Sequence, residues 1–204
     1  SIYRLPNVFG KWCKPNYNSV VATFCHNIAN NLPIRVDNPD EVLSLVYIDD
    51  VVDEFISCLS GAFDSRDVYR EVKPIYPISL ASLSSQIMRF KESKSLLNIE
   101  GVGSGLTRAL YATYISYTPV EDFSYTVPRH CDDRGGFVEI LKTQNSGQFS
   151  YFTAHPGVTR GGHYHHTKNE KFLVVKGKAR FGFRQIDTGD FLEIITTDLQ
   201  PEIV

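Results

Sequence analysis

The chain has 204 residues, 42% of them hydrophobic, and a formal net charge of -2. That is enough apolar material for one large core or two small ones, and the near-neutral charge leaves no electrostatic footprint for nucleic acid or an anionic membrane surface. No apolar run approaches the roughly 20 residues of a spanning helix and no signal-peptide pattern opens the chain, so a small-molecule or protein partner in the cytoplasm is expected. The four cysteines, Cys13, Cys25, Cys58 and Cys131, form no C-x-x-C pair, which argues against a zinc ribbon or a disulfide framework and for a reducing compartment. The opening lacks a Met and already reads as strand, and "DLQPEIV" closes in mid-strand fashion. The sequence is therefore expected to be a fragment, cut at both ends.

In chain order, "IYRLPNVF" at 2–9 has the apolar content of a short buried strand, and Gly10, Pro15 and Asn16 supply turn chemistry after it. A helix follows, with Asn18 or Ser19 as N-cap and Val20, Val21, Phe24 and Ile28 at helical spacing. "PIRV" and "VLSLVYI" read as strands. "DDVVDEFISCLSGAF" reads as a helix capped by Asp49 or Asp50, with Val52, Phe55, Ile56 and Leu59 on one face. "YPISLASLSSQIMRFKES" is helical in style, its stripe formed by Leu80, Leu83, Ile87 and Phe90. "GVGSGLT" at 101–107 contains G-x-G-x-G without a βαβ context and reads as a loop. After Pro119 the character changes to short β-rich runs separated by Gly, Asp and Asn turns: "FSYTV", "GGFVEILKT", "GQFSYFTA", "KFLVVKGKARFGF" and "FLEIITT". That pattern predicts an antiparallel sandwich or barrel, and divides the chain into an α/β part, 1–118, and an all-β part, 119–204.

"GVTRGGHYHHTKNEKFLVVKG" at 157–177 holds three of the six histidines within four positions. His163 and His165 are two apart, so on a strand they share a face, and Glu170 follows across a predicted turn. Two imidazoles and a carboxylate on one surface suit a first-row transition metal, with zinc, iron, nickel or manganese all compatible. His166 points the other way and is expected to be a surface residue. Together with Gly157 and Gly177 the pattern is G-x5-H-x-H-x4-E-x6-G, which resembles the first metal-binding motif of the cupins, small double-sheet β-barrels. The resemblance implies a cupin barrel over residues 119–204 and a zinc site on His163, His165 and Glu170. No histidine follows His166 to serve as the ligand that the second cupin motif usually provides.

The same region has a second likeness. "HCDDRGGFVEI" and "GVTRGGHYHH" are similar to stretches of deoxythymidine-diphospho-sugar 3,5-epimerases, cupins that act on 4-keto sugars. This implies that Arg134 and Glu139 hold a sugar nucleotide, that Arg160 meets its diphosphate, and that His163 abstracts a proton. The chemistry is sound, because a proton beside a ketone is acidified through the enolate and needs a base, an acid and a cationic clamp. The two likenesses compete for His163, since a metal-bound imidazole has no lone pair left to act as a base.

"RLPNVFGKWCKPN", "SVVATFCHNIANNLPIRV" and "VYIDDVVDEFI" resemble the C-terminal half of extended short-chain dehydrogenase/reductase enzymes that use nucleotide sugars. That likeness implies that Asn7 touches the nucleotide sugar, that Asn18 lies near its diphosphate at a helix N-terminus, and that Arg35 lies by the uridine. The glycine-rich dinucleotide fingerprint and the Tyr-x-x-x-Lys pair of those enzymes belong upstream of residue 1, so NADPH is not expected to bind this stretch alone. An α/β substrate-binding lobe of an extended short-chain reductase followed by a cupin barrel resembles a bifunctional bacterial family of capsular polysaccharide biosynthesis. The resemblance implies a homodimer in which the cupin epimerises carbon 3 of a 4-keto UDP-N-acetyl-dideoxy-hexose and the reductase domain reduces the ketone with NADPH. The alternative expectation is a cupin that only binds or dimerises, stabilised by its metal.

Overall fold

The structure is a computed structural model, and it describes residues 2–60 and 68–204. In the first 60 residues the strands are β1 (Ile2–Tyr3), β2 (Asn7–Phe9) and β3 (Val42–Tyr47), and the helices are α1 (Val20–Ala29) and α2 (Ile48–Leu59). Then come β4 (Tyr69–Arg70), β5 (Tyr76–Ser79), α3 (Leu80–Leu96), β6 (Asn98–Ile99) and α4 (Gly105–Ile115). The last part holds β7 (Arg129–Asp132), β8 (Gly135–Thr143), β9 (Gln148–Phe152), β10 (Lys178–Arg184) and β11 (Phe191–Thr197). The chain divides into two compact units, residues 1–158 and 159–204, each described by itself below. Among the described residues no helix is long and apolar enough to cross a membrane.

In the larger unit, β2 pairs in parallel with β3, and β3 in antiparallel with β5. α1, α3 and α4 pack on one another beside this sheet. Their shared core is Phe9, Val21, Phe24, Cys25, Ile28, Leu45, Tyr47, Leu83, Ile87, Phe90, Leu110 and Tyr114. The α3 stripe is legible in its sequence, since Leu83, Ile87 and Phe90 recur every three or four residues and are buried, together with Ser84, while Leu80 is half-buried. Both N-caps are serines. Ser19 Oγ accepts the Ala22 amide at 3.3 Å and Ser79 Oγ accepts that of Ser82 at 3.2 Å. Asn18 therefore lies one residue before the cap.

Several elements differ from expectation. The first strand is broken into β1 and β2 around Pro6, whose ring removes a ladder donor. Residues 33–36 form no strand; Asn31 turns the chain with φ 59°, and Asn27 Nδ2 satisfies the Pro33 carbonyl at 3.0 Å. Tyr47 occupies the N-cap position of α2, while Asp49 and Asp50 sit inside its first turn, where the helix dipole favours negative charge. The apolar stripe expected on α2 is exposed at Val52, Phe55, Ile56 and Leu59, and Val51 is the buried residue instead. The expected continuation of that helix through 61–63 lies outside the described residues. "GVGSGLT" is half loop, because α4 begins at Gly105.

The four-stranded sheet of the larger unit has β8 as its spine. β7 and β9 pair with it in antiparallel and β6 in parallel. The parallel β6–β8 pairing ties strands that follow Pro119 to the end of α3, and so places β7–β9 in the larger unit. "FSYTV" is not a strand; a 3-10 turn at Val120–Asp122 precedes it and pairing starts only at Arg129. In the unit 159–204, β10 and β11 make one antiparallel pair from Lys178↔Thr197 to Arg184↔Phe191, and Leu173 bridges Ile203. Of the described residues in that unit only Thr196 is buried. The pairings among the described residues do not close a barrel.

Two substitutions test this packing. Ile87→Ala removes a fully buried side chain from the helix–sheet core and is expected to lower stability by about 2–5 kcal/mol in denaturant unfolding. A Cβ on Gly10 would fall 2.2 Å from Ile48 Cγ2, so Gly10→Ala is expected to cost about 1–3 kcal/mol through overpacking.

Candidate functional site

β2 ends at Phe9, and Gly10 passes against Ile48 at the start of α2. This close approach brings the loop 10–18 beside the first turn of α2. There Lys11 Nζ meets Asp49 Oδ2 at 3.3 Å and lies 6.0 Å from the centre of the Tyr47 ring. The Arg108 guanidinium of α4 lies 5.9 Å from the same ring. The bond to Asp49 raises the Lys11 pKa and keeps its charge. Burial pushes the Asp50 carboxyl up against the pull of Arg108, and burial also raises the phenols of Tyr47 and Tyr76. Two cations, two carboxylates and two tyrosines therefore share the end of the β2–β3–β5 sheet from which α2 departs.

The expected substrate contacts of this unit lie around that end in different states. Asn7 is exposed on β2, its Nδ2 donating to the Ser44 carbonyl at 3.3 Å. Asn18 is exposed just before the Ser19 cap. Arg35 is 86% exposed at its side chain and paired with Asp37 at 2.5 Å. No bond links these three residues to one another among the described contacts. In the β7–β8 turn, Arg134 is held by Asp132: its backbone amide and its Nε each donate to that carboxylate at 2.9 Å. The pairing raises the Arg134 pKa. Glu139, half-buried on β8, faces Lys142 Nζ at 3.4 Å.

In the smaller unit, residues 161–170 are exposed and form no strand. Side chains nevertheless alternate: the rings of His163 and His165 lie 4.9 Å apart at 71°, and those of Tyr164 and His166 lie 5.1 Å apart at 85°. Glu170 Oε1 stands 3.8 Å from His165 Nε2. Arg160, three residues before His163, is half-buried and engaged. His165 thus lies beside both His163 and Glu170, while His166 meets Tyr164 instead. The donor types suit zinc, but among the described residues no group of three or more His, Cys, Asp or Glu side chains is arranged to hold a metal ion.

Sequence reasoning missed Lys11, Trp12, Asp49 and Arg108. The available signal was the chain's single tryptophan placed in a turn between Gly10 and Pro15, where no core needs it. An apolar cavity of about 220 Å³ between α3, α4 and β8, lined by Phe90, Leu97, Tyr111, Tyr114 and Ile140, contains none of the expected site residues.

Comparison with known proteins bears on both parts. The family described as polysaccharide biosynthesis C-terminal domain matches residues 130–204. A UDP-2-acetamido-2,6-beta-L-arabino-hexul-4-ose reductase of Pseudomonas aeruginosa is 59% identical over 203 residues, spanning all of this chain and 54% of the relative. Two crystal structures of capsular polysaccharide assembling protein CapF from Staphylococcus aureus match with TM-scores of 0.91 and 0.92 at 41% identity. They match the whole chain, which covers 55% and 59% of theirs. The chain thus spans about half the length of these relatives, and along its entire course it is similar to one part of the capsular polysaccharide assembling protein CapF.

Proposed function

We propose that the chain is part of a bifunctional enzyme of UDP-sugar metabolism in capsular polysaccharide biosynthesis. The observation that carries this reading is the 59% identity over 203 residues to a UDP-sugar reductase, supported by the whole-length match to CapF. On this reading residues 1–118 belong to the substrate-binding lobe of a short-chain reductase, with Asn7, Asn18 and Arg35 toward the nucleotide sugar. Residues 119–204 belong to a cupin-type epimerase, with Arg134, Glu139 and Arg160 as its sugar-nucleotide contacts. The enzyme is assigned as a cytoplasmic homodimer.

The epimerisation proceeds by removal of the carbon 3 proton beside the 4-keto group, which leaves an enolate, and return of a proton to the opposite face. Cationic side chains hold the diphosphate while the base works. In the second reaction the hydride for carbon 4 would come from NADPH held by the dinucleotide fingerprint expected upstream of residue 1, with a proton going to the oxygen.

Zinc is assigned to His163, His165 and Glu170 on the chemistry of the donors and their spacing, with His165 lying beside each of the other two. That assignment commits the ring nitrogen of His163 and removes it as a base. No step of the proton transfer is routed through the metal.

Elemental analysis of His165→Ala and Glu170→Ala is expected to show the zinc content falling to a small fraction; unchanged metal in both sinks the assignment. Incubation of the 4-keto UDP-sugar in D2O should place deuterium at carbon 3. A protein that binds the sugar without exchanging that proton is a binding or dimerisation module. For His163→Gln, lost metal together with lost exchange supports the ligand role, and lost exchange with metal retained makes His163 the base.

A further inference from the structure

Trp12 is the only tryptophan of the chain, and 79% of it is exposed. An indole offers the largest apolar face of any side chain, and a surface position that serves only the fold does not need one. Its backbone is unusual as well. Trp12 adopts φ 61°, a left-handed conformation that is uncommon for a bulky residue and clusters at functional sites.

The loop holds this conformation by bonds to its surroundings. The Trp12 amide donates to Ser116 Oγ at 3.3 Å, the Tyr117 hydroxyl donates to the Cys13 carbonyl, and the Asn16 amide donates to Thr23 Oγ1 at 2.9 Å. Residues of α1 and of the end of α4 thus pin the loop at three points, on either side of the exposed ring. The ring is presented, and the backbone that presents it is ordered before any ligand arrives, which cuts the entropic cost of binding.

The loop also carries positive charge next to its aromatic faces. Lys11 Nζ lies 5.7 Å from the Trp12 ring centre and Lys14 Nζ 5.4 Å from that of Tyr17, itself 72% exposed. Asp49 fixes Lys11 in place. Exposed aromatic faces beside ammonium groups are complementary to a ligand that combines flat or apolar ring faces with phosphate charge, and a nucleotide sugar is such a ligand.

We infer that Trp12 is the ring-stacking platform for the nucleotide sugar in the larger unit, its indole face packing on the base or on the sugar ring while the lysines of the same loop face the diphosphate. This rests on the nucleotide-sugar reading above and adds to it a specificity-determining residue that none of the likenesses assigns.

The test follows tryptophan fluorescence and calorimetric heat together as UDP or UDP-N-acetylglucosamine is added, with Trp12 intact and in Trp12→Ala and Trp12→Phe. The expected result is a saturable fluorescence change with the calorimetric affinity, absent from Trp12→Ala. That variant should bind about 5- to 100-fold more weakly, the range of one stacked ring, with an unchanged unfolding midpoint, and Trp12→Phe should recover most of the loss. A change with UDP identifies the base as the stacked ring, and a change with UDP-N-acetylglucosamine alone identifies the sugar. Calorimetric binding with silent fluorescence and undiminished affinity in Trp12→Ala overturns the platform and leaves the nucleotide-sugar reading standing. No heat with either probe overturns both.

Discussion

The close approach of Gly10 to Ile48 is the constraint on which the larger unit depends. β2 and β3 run in parallel and end side by side, with Phe9 opposite Tyr47 in the ladder and their rings 5.4 Å apart. One chain must then leave as a loop and the other as α2, within the width of one strand spacing. Any side chain at position 10 would occupy the space of Ile48 Cγ2, so the residue after β2 has to be glycine for steric reasons, whatever its own torsion angles. With Gly10 against the Ile48 side chain, Lys11 comes within reach of Asp49 and the loop reaches Ser116 and Tyr117 at the end of α4. The charged cluster and the exposed Trp12 both follow from that contact.

How much of this could be read in the sequence depended on whether the signal was local. α1 was legible because a capping residue and an apolar stripe of period 3.6 lie within one segment; α3 was legible from its stripe alone, and its expected first residues, "YPIS", are the strand β5 instead. β8, β9 and β11 were legible for the same reason, through alternation bounded by Gly and Asn. "PIRV" was not, since the chain turns at Asn31 and the Asn27 side chain of α1 satisfies the Pro33 carbonyl in place of a partner strand. The stripe on α2 has the right period and is still exposed; amphipathicity tells which face is apolar and not what covers it. The cluster of Lys11, Asp49 and Arg108 joins residues nearly a hundred positions apart, and no sequence window contains it.

The two units differ in how their order is maintained. The larger has a contiguous apolar core with three helices around a sheet. The smaller buries only Thr196 among its described residues, and Phe183, Phe191, Leu192 and Ile195 along its β10–β11 pair stay exposed. Ladder hydrogen bonds alone give a two-stranded pair marginal stability in water. The regular register from Lys178↔Thr197 to Arg184↔Phe191 therefore reflects strong local strand preference in "KARFGFR" and "FLEIITT", with β-branched and aromatic residues meeting across the pair.

The histidine segment shows why spacing can succeed where an element assignment fails. The expectation of a shared face for His163 and His165 was argued from a β-strand, and no strand forms there. The alternation is a property of extended backbone, with or without a partner strand: successive side chains point to opposite sides whenever φ and ψ stay in the β region. So His163 meets His165, and Tyr164 meets His166, in a segment without ladder bonds. The bend after His166 then brings Glu170, five residues beyond His165, back to that imidazole. What spacing does not supply is convergence. Three donors at fixed intervals become a coordination sphere only when the backbone carrying them is held so that all three converge, and here His165 meets the other two pairwise while no group of three is arranged for a metal among the described residues.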